Sequence, residues 1–340
     1  MTRPHVVIIS PAQAKANNGN WQTASRWARF LRQRYRVTLL AEPQSTAGIA
    51  ADALIALHAR RSAPVLAALR TACPAAPTLL VLTGTDLYHD LESDDAARRS
   101  LRSATRLVVL QEAALRRLDA DARAKASVIH QSAPALKPCE RQGRRYFGVT
   151  MIGHLRAEKD PLTFMRAAAL VTAPALRFSH VGAALDPELG RQARQTQQAL
   201  PRYRWLGSLP HAAARRHLKR QHLMAIASAM EGGANVICEA VTSGVPVVAS
   251  DIEGNRGMLG DDYEGYFPVG DSRALARLIE RAAAEPAFYQ RLRRQCDARA
   301  PLFAPAREQS LLLQLMDNLL GASSMHDANS PSVPAQAGIQ

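Results

Sequence analysis

Between Glu231 and Gly254 the chain reads EGGANVICEAVTSGVPVVASDIEG, and this block concentrates the groups best suited to holding a phosphorylated ligand. Glu231 and Glu239 are separated by seven residues. Gly232 and Gly233 follow the first glutamate, and the pattern predicts a helix from about Ala234 to Ser243, broken by Gly244 and Pro246 before the strand VPVVAS. Paired glycines let the backbone approach a ligand closely. A helix starting there offers unpaired N–H groups and the positive end of its dipole to phosphate or sugar oxygens, which brings in Asn235 and Val236. Glu239 lies further along the same helix, where a carboxylate can accept from two vicinal ribose hydroxyls. A solvated helix with ordinary surface glutamates is the bland alternative. The succession of glycine pair, helix, Gly-x-Pro and strand weighs against it.

A second group lies in GHLRAEKDP, Gly153 to Pro161, directly after an apolar strand-like run. Arg156 supplies a fork of donors and Lys159 a compact charge, so together they can neutralise a departing diphosphate without a metal ion. Taken alone, Arg156, Glu158 and Lys159 read equally well as a solvated charge run. Near the N-terminus, Asn17, Asn18, Gly19 and Asn20 precede a helical pattern that includes Trp21 and Thr23; their backbone can cradle a phosphate and their amides can orient an acceptor. Further strand-end groups are Thr83, Gly84, Thr85 and Asp86; His58, Arg60, Arg61 and Ser62; and His130, Gln131 and Ser132. Each histidine is as readily structural as functional, and none is assigned as a general base.

These groups need a scaffold that brings several strand ends together. Short apolar runs at His5–Ser10, Arg36–Ala41, Ala53–His58 and Thr78–Leu82, followed by RLVVLQ and SVIHQS, alternate with helical segments. Such alternation implies βα units and a mostly parallel sheet. After a Pro- and Gly-containing stretch, Ser132 to Arg145, a second series begins: RYFGVTMIG, LRFSHVGA, RYRWLGS, HLMAIAS and VPVVAS. The expected architecture is α/β, with two Rossmann-like domains facing each other across a cleft. Residues 1–135 form the first domain and 145–304 the second. An amphipathic helix, 305–321, and a disordered tail, 322–340, complete the chain. A ligand is expected between the carboxyl ends of the two sheets.

Composition sets outer bounds. A chain of 340 residues with 47% apolar content suffices for two cores. The net charge of +14 favours anionic partners of any kind. No zinc finger, basic heptad region or aromatic RNA-recognition motif accompanies it, so nucleic acid is not the expected partner. Cys73, Cys139, Cys238 and Cys296 form no CxxC pair, which argues against a zinc knuckle or a disulfide framework. Absence of GxGxxG and GxxxxGK[ST] motifs removes the main support for dehydrogenase and P-loop readings. No apolar run reaches membrane-spanning length and the N-terminus lacks a signal-peptide pattern, so a cytoplasmic location is expected.

At Glu231, Glu239, Arg156 and Lys159 the sequence resembles the glycosyltransferases of the glycogen-synthase and sucrose-synthase type, group four, whose fold is GT-B. That resemblance implies sugar-nucleotide binding by the second domain, with Gly153, Arg156, Lys159, Glu231, Gly232, Gly233, Asn235, Val236 and Glu239 at the donor and Arg156, Lys159 and Glu231 in catalytic roles. It also implies acceptor selection by the first domain and a last helix, Glu308 to Leu320, crossing back onto it. The segments SPAQAKANNGNWQTASRWARFL, LTGTDLYHD and AMEGGANVICEAVTSGVPVVASDIEGNRGMLGDDYEGYFPVGD further resemble the bacterial selenosugar synthases of selenoneine biosynthesis. This closer likeness implies transfer from a UDP-sugar (UDP-N-acetylglucosamine or UDP-glucose) to selenophosphate, with UDP and phosphate released and no cofactor or metal. It puts Asn18, Gly19, Asn20, Trp21, Thr23, Thr85 and Asp86 at the acceptor, and suggests a link to other selenoneine-pathway enzymes. The polar NNGNW stands where many of the broader family carry a glycine pair and a histidine, which points away from polysaccharide or lipid acceptors. The alternatives are transfer to a hydroxyl acceptor, or a non-catalytic protein binding sugar nucleotides or nucleic acid.

Overall fold

The computed structural model describes residues 3–13, 19–41, 48–137, 139 and 145–327, with side chains described as far as residue 321. Two six-stranded parallel sheets organise the chain. The first contains β1 (His5–Ser10), β2 (Arg36–Ala41), β3 (Ala53–Leu57), β4 (Thr78–Leu82), β5 (Arg106–Val109) and β6 (Ala126–Val128), in the order β2-β1-β3-β4-β5-β6. The second contains β7 (Phe147–Ile152), β8 (Leu176–Val181), β9 (Tyr203–Trp205), β10 (Leu223–Ile226), β11 (Val247–Ser250) and β12 (Tyr266–Phe267), in the order β12-β11-β10-β7-β8-β9. The central strands β1, β3 and β4 are fully buried and rich in Val, Ile and Leu, as parallel strands covered on both faces must be.

Strand order fixes where a ligand can enter. The first sheet reverses direction between β1 and β3, the second between β7 and β10. At such a switch point the two adjacent crossovers run to opposite faces, so the loops leaving the carboxyl ends splay apart and open a crevice. Here the switch points are flanked by the carboxyl ends of β1 and β3 and of β7 and β10, and the loop after β4, next to β3, adds Thr83, Gly84, Thr85 and Asp86.

The helix Pro305–Asp327 returns to the first domain. Leu312, Leu313, Met316 and Leu319 pack with Trp27, Phe30 and Leu31 in one apolar cluster. Glu308, 1% exposed, anchors this return. Its carboxylate accepts from Arg26 Nε at 2.7 Å and Nη2 at 3.1 Å, from Trp27 Nε1 at 2.7 Å and from Ser132 Oγ at 2.5 Å. One buried charge thus ties the first helix, the crossing segment and the last helix, with its lone pairs satisfied by charged and neutral donors.

The structure corrects several expected boundaries. The last helix continues to Asp327 instead of ending at 321; residues 328–340 lie outside the described ones. SVIHQS forms a strand only at Ala126–Val128, and the helix expected at Ala234–Ser243 spans Asn235–Val241. Two helices not anticipated, Pro187–Ala199 and Pro286–Arg299, cover the second sheet. Among the described residues no helix is long and apolar enough to cross a membrane.

Candidate active site

A cavity of about 360 Å³ lies between the two sheets, within the range of small-ligand sites. From the second domain, β7 ends at Gly153 and the chain turns through a short 3-10 segment, Ala157–Lys159, before Asp160 caps the next helix. Asp160 sits at φ 42 and accepts from Thr163 N at 3.3 Å and from Thr163 Oγ1 at 2.6 Å, which fixes the turn that carries Arg156 and Lys159. Lys159 Nζ donates to Glu231 Oε1, the same oxygen that accepts from Ser228 Oγ at 2.6 Å. Lys159 and Glu231 therefore form one preorganised unit, with side-chain exposures of 18% and 9%. Arg156 is more open, and its Nε has no hydrogen-bond partner among the described residues.

Gly153 is held from behind. His180, fully buried on β8, donates from Nε2 to the Gly153 carbonyl at 3.2 Å, while its Nδ1 lies 3.2 Å from the Tyr203 hydroxyl. Burial pushes the His180 pKa down to about 4, so the ring is neutral and acts as a fixed donor at physiological pH. Gly182, at the end of β8, crosses Gly153 so closely that any Cβ would overlap its carbonyl.

The helix Asn235–Val241 begins without a side-chain cap; Ile237 N donates to Ala234 O at 2.9 Å, and Asn235 and Val236 at its start line the cavity. Glu239, 8% exposed, points from it into the same space and accepts from His211 Nε2 at 2.6 Å. Among the described residues, no group of three His, Cys, Asp or Glu side chains is arranged to hold a metal ion.

The first domain closes the opposite wall. Gly84 and Gly232 meet backbone to backbone: a Cβ on Gly84 would stand 3.1 Å from Gly232 N, and one on Gly232 would stand 2.5 Å from Gly84 N. Gly233 lies as tightly against Leu110. The glycine pair thus serves apposition of the domains as well as ligand approach.

All nine donor-side positions expected from the sequence line this cavity: Gly153, Arg156, Lys159, Glu231, Gly232, Gly233, Asn235, Val236 and Glu239. On the acceptor side Gly19, Asn20 and Thr85 line it. Gly19 and Asn20 belong to the first turn of the helix Gly19–Leu31 and not to a preceding loop, and Asn18 lies outside the described residues. Trp21, Thr23 and Asp86 are not among the lining residues. Thr23 is buried, donating to Gly19 O at 2.9 Å and accepting from Gln131 Nε2 at 2.5 Å. Asp86 is buried with its carboxylate occupied: Oδ1 accepts from Thr83 N at 2.9 Å and Gly84 N at 2.8 Å, and Oδ2 from Ala59 N at 3.0 Å. It shapes the loops and leaves nothing to offer a ligand. His58, Arg61, Gln131, Gly182 and His211 line the cavity without having been assigned to it. Position at a strand end was the available signal for His58, Arg61 and Gly182; none marked His211.

Residues 147–285, which include the Gly153 turn and the Asn235–Val241 helix, match the family described as glycosyl transferases group 1. No curated protein matches the chain by sequence. Among solved structures, sucrose-phosphate synthase from Thermosynechococcus elongatus has a TM-score of 0.76 at 19% identity, covering 94% of this chain and 100% of that one. HepE of Anabaena, in complex with UDP and glucose, gives 0.74 at 16% identity, covering 93% and 100%. A glycosyltransferase from Rickettsia africae gives 0.71 at 14%, covering 94% and 99%. At such identities the likeness is one of fold, GT-B, and spans both domains.

Proposed function

We propose that the chain is a metal-independent glycosyltransferase that moves a hexose from UDP-glucose or UDP-N-acetylglucosamine to selenophosphate. The donor half of the reading is supported by HepE, a protein of the same fold in complex with UDP-glucose. In this reading Glu239 accepts from the ribose hydroxyls, and the uncapped helix start and Arg156 face the diphosphate. Lys159, held by Glu231, supplies a further positive charge where negative charge develops on the leaving oxygen. The selenium lone pair attacks the anomeric carbon, a C–Se bond forms, and the C–O bond to UDP breaks with the electron pair leaving on UDP. Attack of water at phosphorus then cleaves the P–Se bond, giving phosphate and the selenosugar. A selenium nucleophile is already anionic and polarizable, so placement matters more than a general base.

The observation that carries the acceptor half is the contact of Gly84 with Gly232. With the domains that close, the cavity is about 360 Å³ and its first-domain wall carries His58, Arg61 and Thr85, which suits a small anion better than a lipid or a polymer chain. Purified protein incubated with a UDP-hexose and fresh selenophosphate under anaerobic, reducing conditions is expected to release UDP and form a sugar with the selenium isotope pattern. Efficient transfer to a hydroxyl acceptor, with no selenium product under verified selenophosphate supply, would defeat this reading in favour of an ordinary glycosyltransferase. Turnover is expected to survive exhaustive chelation; activity lost to chelator and restored by magnesium or manganese would refute metal independence.

A further inference from the structure

We infer that Arg61 and the Thr85 hydroxyl, set by the buried His58, form the subsite that receives the oxyanion end of the acceptor. This deepens the proposed transfer to selenophosphate and rests on it for the acceptor's identity, though not for the anion chemistry.

His58 ends β3 at φ 72, a left-handed conformation that side chains other than Gly and Asn rarely adopt. The turn is fixed on both sides. His58 N donates to Val81 O at 2.9 Å, Ser62 N to His58 O at 3.1 Å, and Ser62 Oγ to Leu57 O at 2.5 Å. The Asp86 carboxylate spans from Ala59 N to Thr83 N and Gly84 N, stapling this turn to the loop after β4. Two loops from adjacent strands are thus locked together at the wall of the cavity that faces the donor site.

Hydrogen bonding sets the His58 tautomer. Its Nδ1 accepts from Arg61 N at 3.4 Å, so the proton sits on Nε2 and is donated to Thr85 Oγ1 at 2.9 Å. Burial pushes the His58 pKa below the ordinary histidine value, which keeps this neutral form through the physiological range. Having accepted from His58, the Thr85 hydroxyl has its own proton to give, and Thr85 lines the cavity.

Charge completes the subsite. Arg60 is committed to Asp90, Nε to Oδ2 at 3.0 Å. Arg61, one residue on, lines the cavity and forms no ion pair among the described residues. The buried carboxylates beside this turn are already engaged, Asp86 by backbone donors and Asp90 by Arg60. The wall facing the diphosphate cations therefore presents a guanidinium and a hydroxyl donor, a match for a tetrahedral oxyanion whose remaining atom is directed at the anomeric carbon.

Inorganic phosphate is the probe, titrated into the full-length protein already saturated with UDP so that the diphosphate cations are occupied, and followed by ³¹P NMR. Arg61→Ala is expected to weaken phosphate binding about tenfold to a hundredfold, the range for a charge-assisted hydrogen bond, and Thr85→Val about fivefold or more. Thr85→Ser, which keeps the hydroxyl, should bind within about threefold of wild type, a rescue that a purely structural role for Thr85 does not predict. Arg60→Ala controls for loss of net charge and should stay within about twofold. Far-UV circular dichroism and urea unfolding report that the first domain of each variant is folded. Phosphate binding unchanged in Arg61→Ala and Thr85→Val, or equally weakened in Arg60→Ala, overturns the subsite. Selenosugar formation at wild-type rates and KM in those two variants would also overturn it while leaving the transfer reading intact. The expected phosphate pattern without any selenium product would keep the subsite and discard selenophosphate as the acceptor.

Discussion

Replacing Gly232 with alanine separates donor binding from turnover. Gly232 does not have positive φ, so its own backbone accepts a Cβ without strain. What the Cβ meets is the other domain: the Gly84 nitrogen at 2.5 Å and the carbonyl of Thr83, all backbone atoms that cannot rotate away. Ordinary van der Waals contact begins near 3.4 Å, so the domains must part by about 1 Å at this point. A displacement of that size between reacting groups costs on the order of a hundredfold in rate. UDP, in contrast, is expected to be held by the second domain alone. Gly232→Ala should therefore lower kcat about a hundredfold while the Kd for UDP stays within about threefold. Steady-state UDP release and calorimetry with UDP measure the two quantities. A kcat within about threefold of wild type would refute closure on the glycine pair. An equal loss in UDP affinity would show that Gly232 acts locally on the donor.

Glu239→Gln should weaken UDP binding about tenfold to a hundredfold by calorimetry, the value of a charge-assisted hydrogen bond; unchanged affinity in a folded variant would remove Glu239 from the ribose. Glu308→Ala strands the buried Arg26 guanidinium, the Trp27 indole N–H and the Ser132 hydroxyl, and should cost about 3–5 kcal/mol in urea unfolding. A loss below about 1 kcal/mol would mean that the helix Pro305–Asp327 is held by its apolar face alone. His180 has a folded pKa of about 4 against an unfolded value near 6.5, so the unfolded chain binds more protons between these limits. Its contribution, about 3 kcal/mol, is complete above about pH 6.5 and is lost as the pH falls toward about 4. An NMR titration of the His180 ring giving a pKa above about 5.5 would overturn this.

The donor half was legible because its chemistry is local in sequence. Glu231, the glycine pair and Glu239 fall within one loop and one helix, and Arg156 and Lys159 follow one strand, so reading β-α alternation already put them at neighbouring strand ends. The acceptor half was less legible because its function is divided between residues far apart in the chain. Asp86 has the composition of a ligand-binding residue and is instead consumed by three backbone N–H groups, a role visible only once the loops after β3 and β4 are adjacent. Thr23 was likewise turned inward by its bonds to Gly19 and Gln131. His211 reaches Glu239 from a helix 28 residues away, and nothing in its local sequence announces that contact.

That contact bears on how the donor site is prepared before ligand arrives. A carboxylate such as Glu239, 8% exposed, loses favourable hydration, and a buried acceptor without a donor is costly. His211 Nε2 fills this need in the ligand-free protein, just as Ser228 and Lys159 fill it for Glu231. The two glutamates differ in what holds them. Glu231 is braced by the Lys159 ammonium, which is buried with it, whereas His211 is 44% exposed and can swing aside or share the carboxylate. Ribose hydroxyls can replace His211 as donors to Glu239, while a nucleotide that displaced Lys159 from Glu231 would strand a buried carboxylate. In the proposed donor pose, the spacing of seven residues between the glutamates would separate an exchangeable contact at the nucleoside from a fixed one near the leaving group. Removing the exchangeable partner by His211→Ala should leave UDP affinity within about threefold. Lys159→Ala should reduce turnover far more, because it withdraws both a cation from the diphosphate and the donor that holds Glu231.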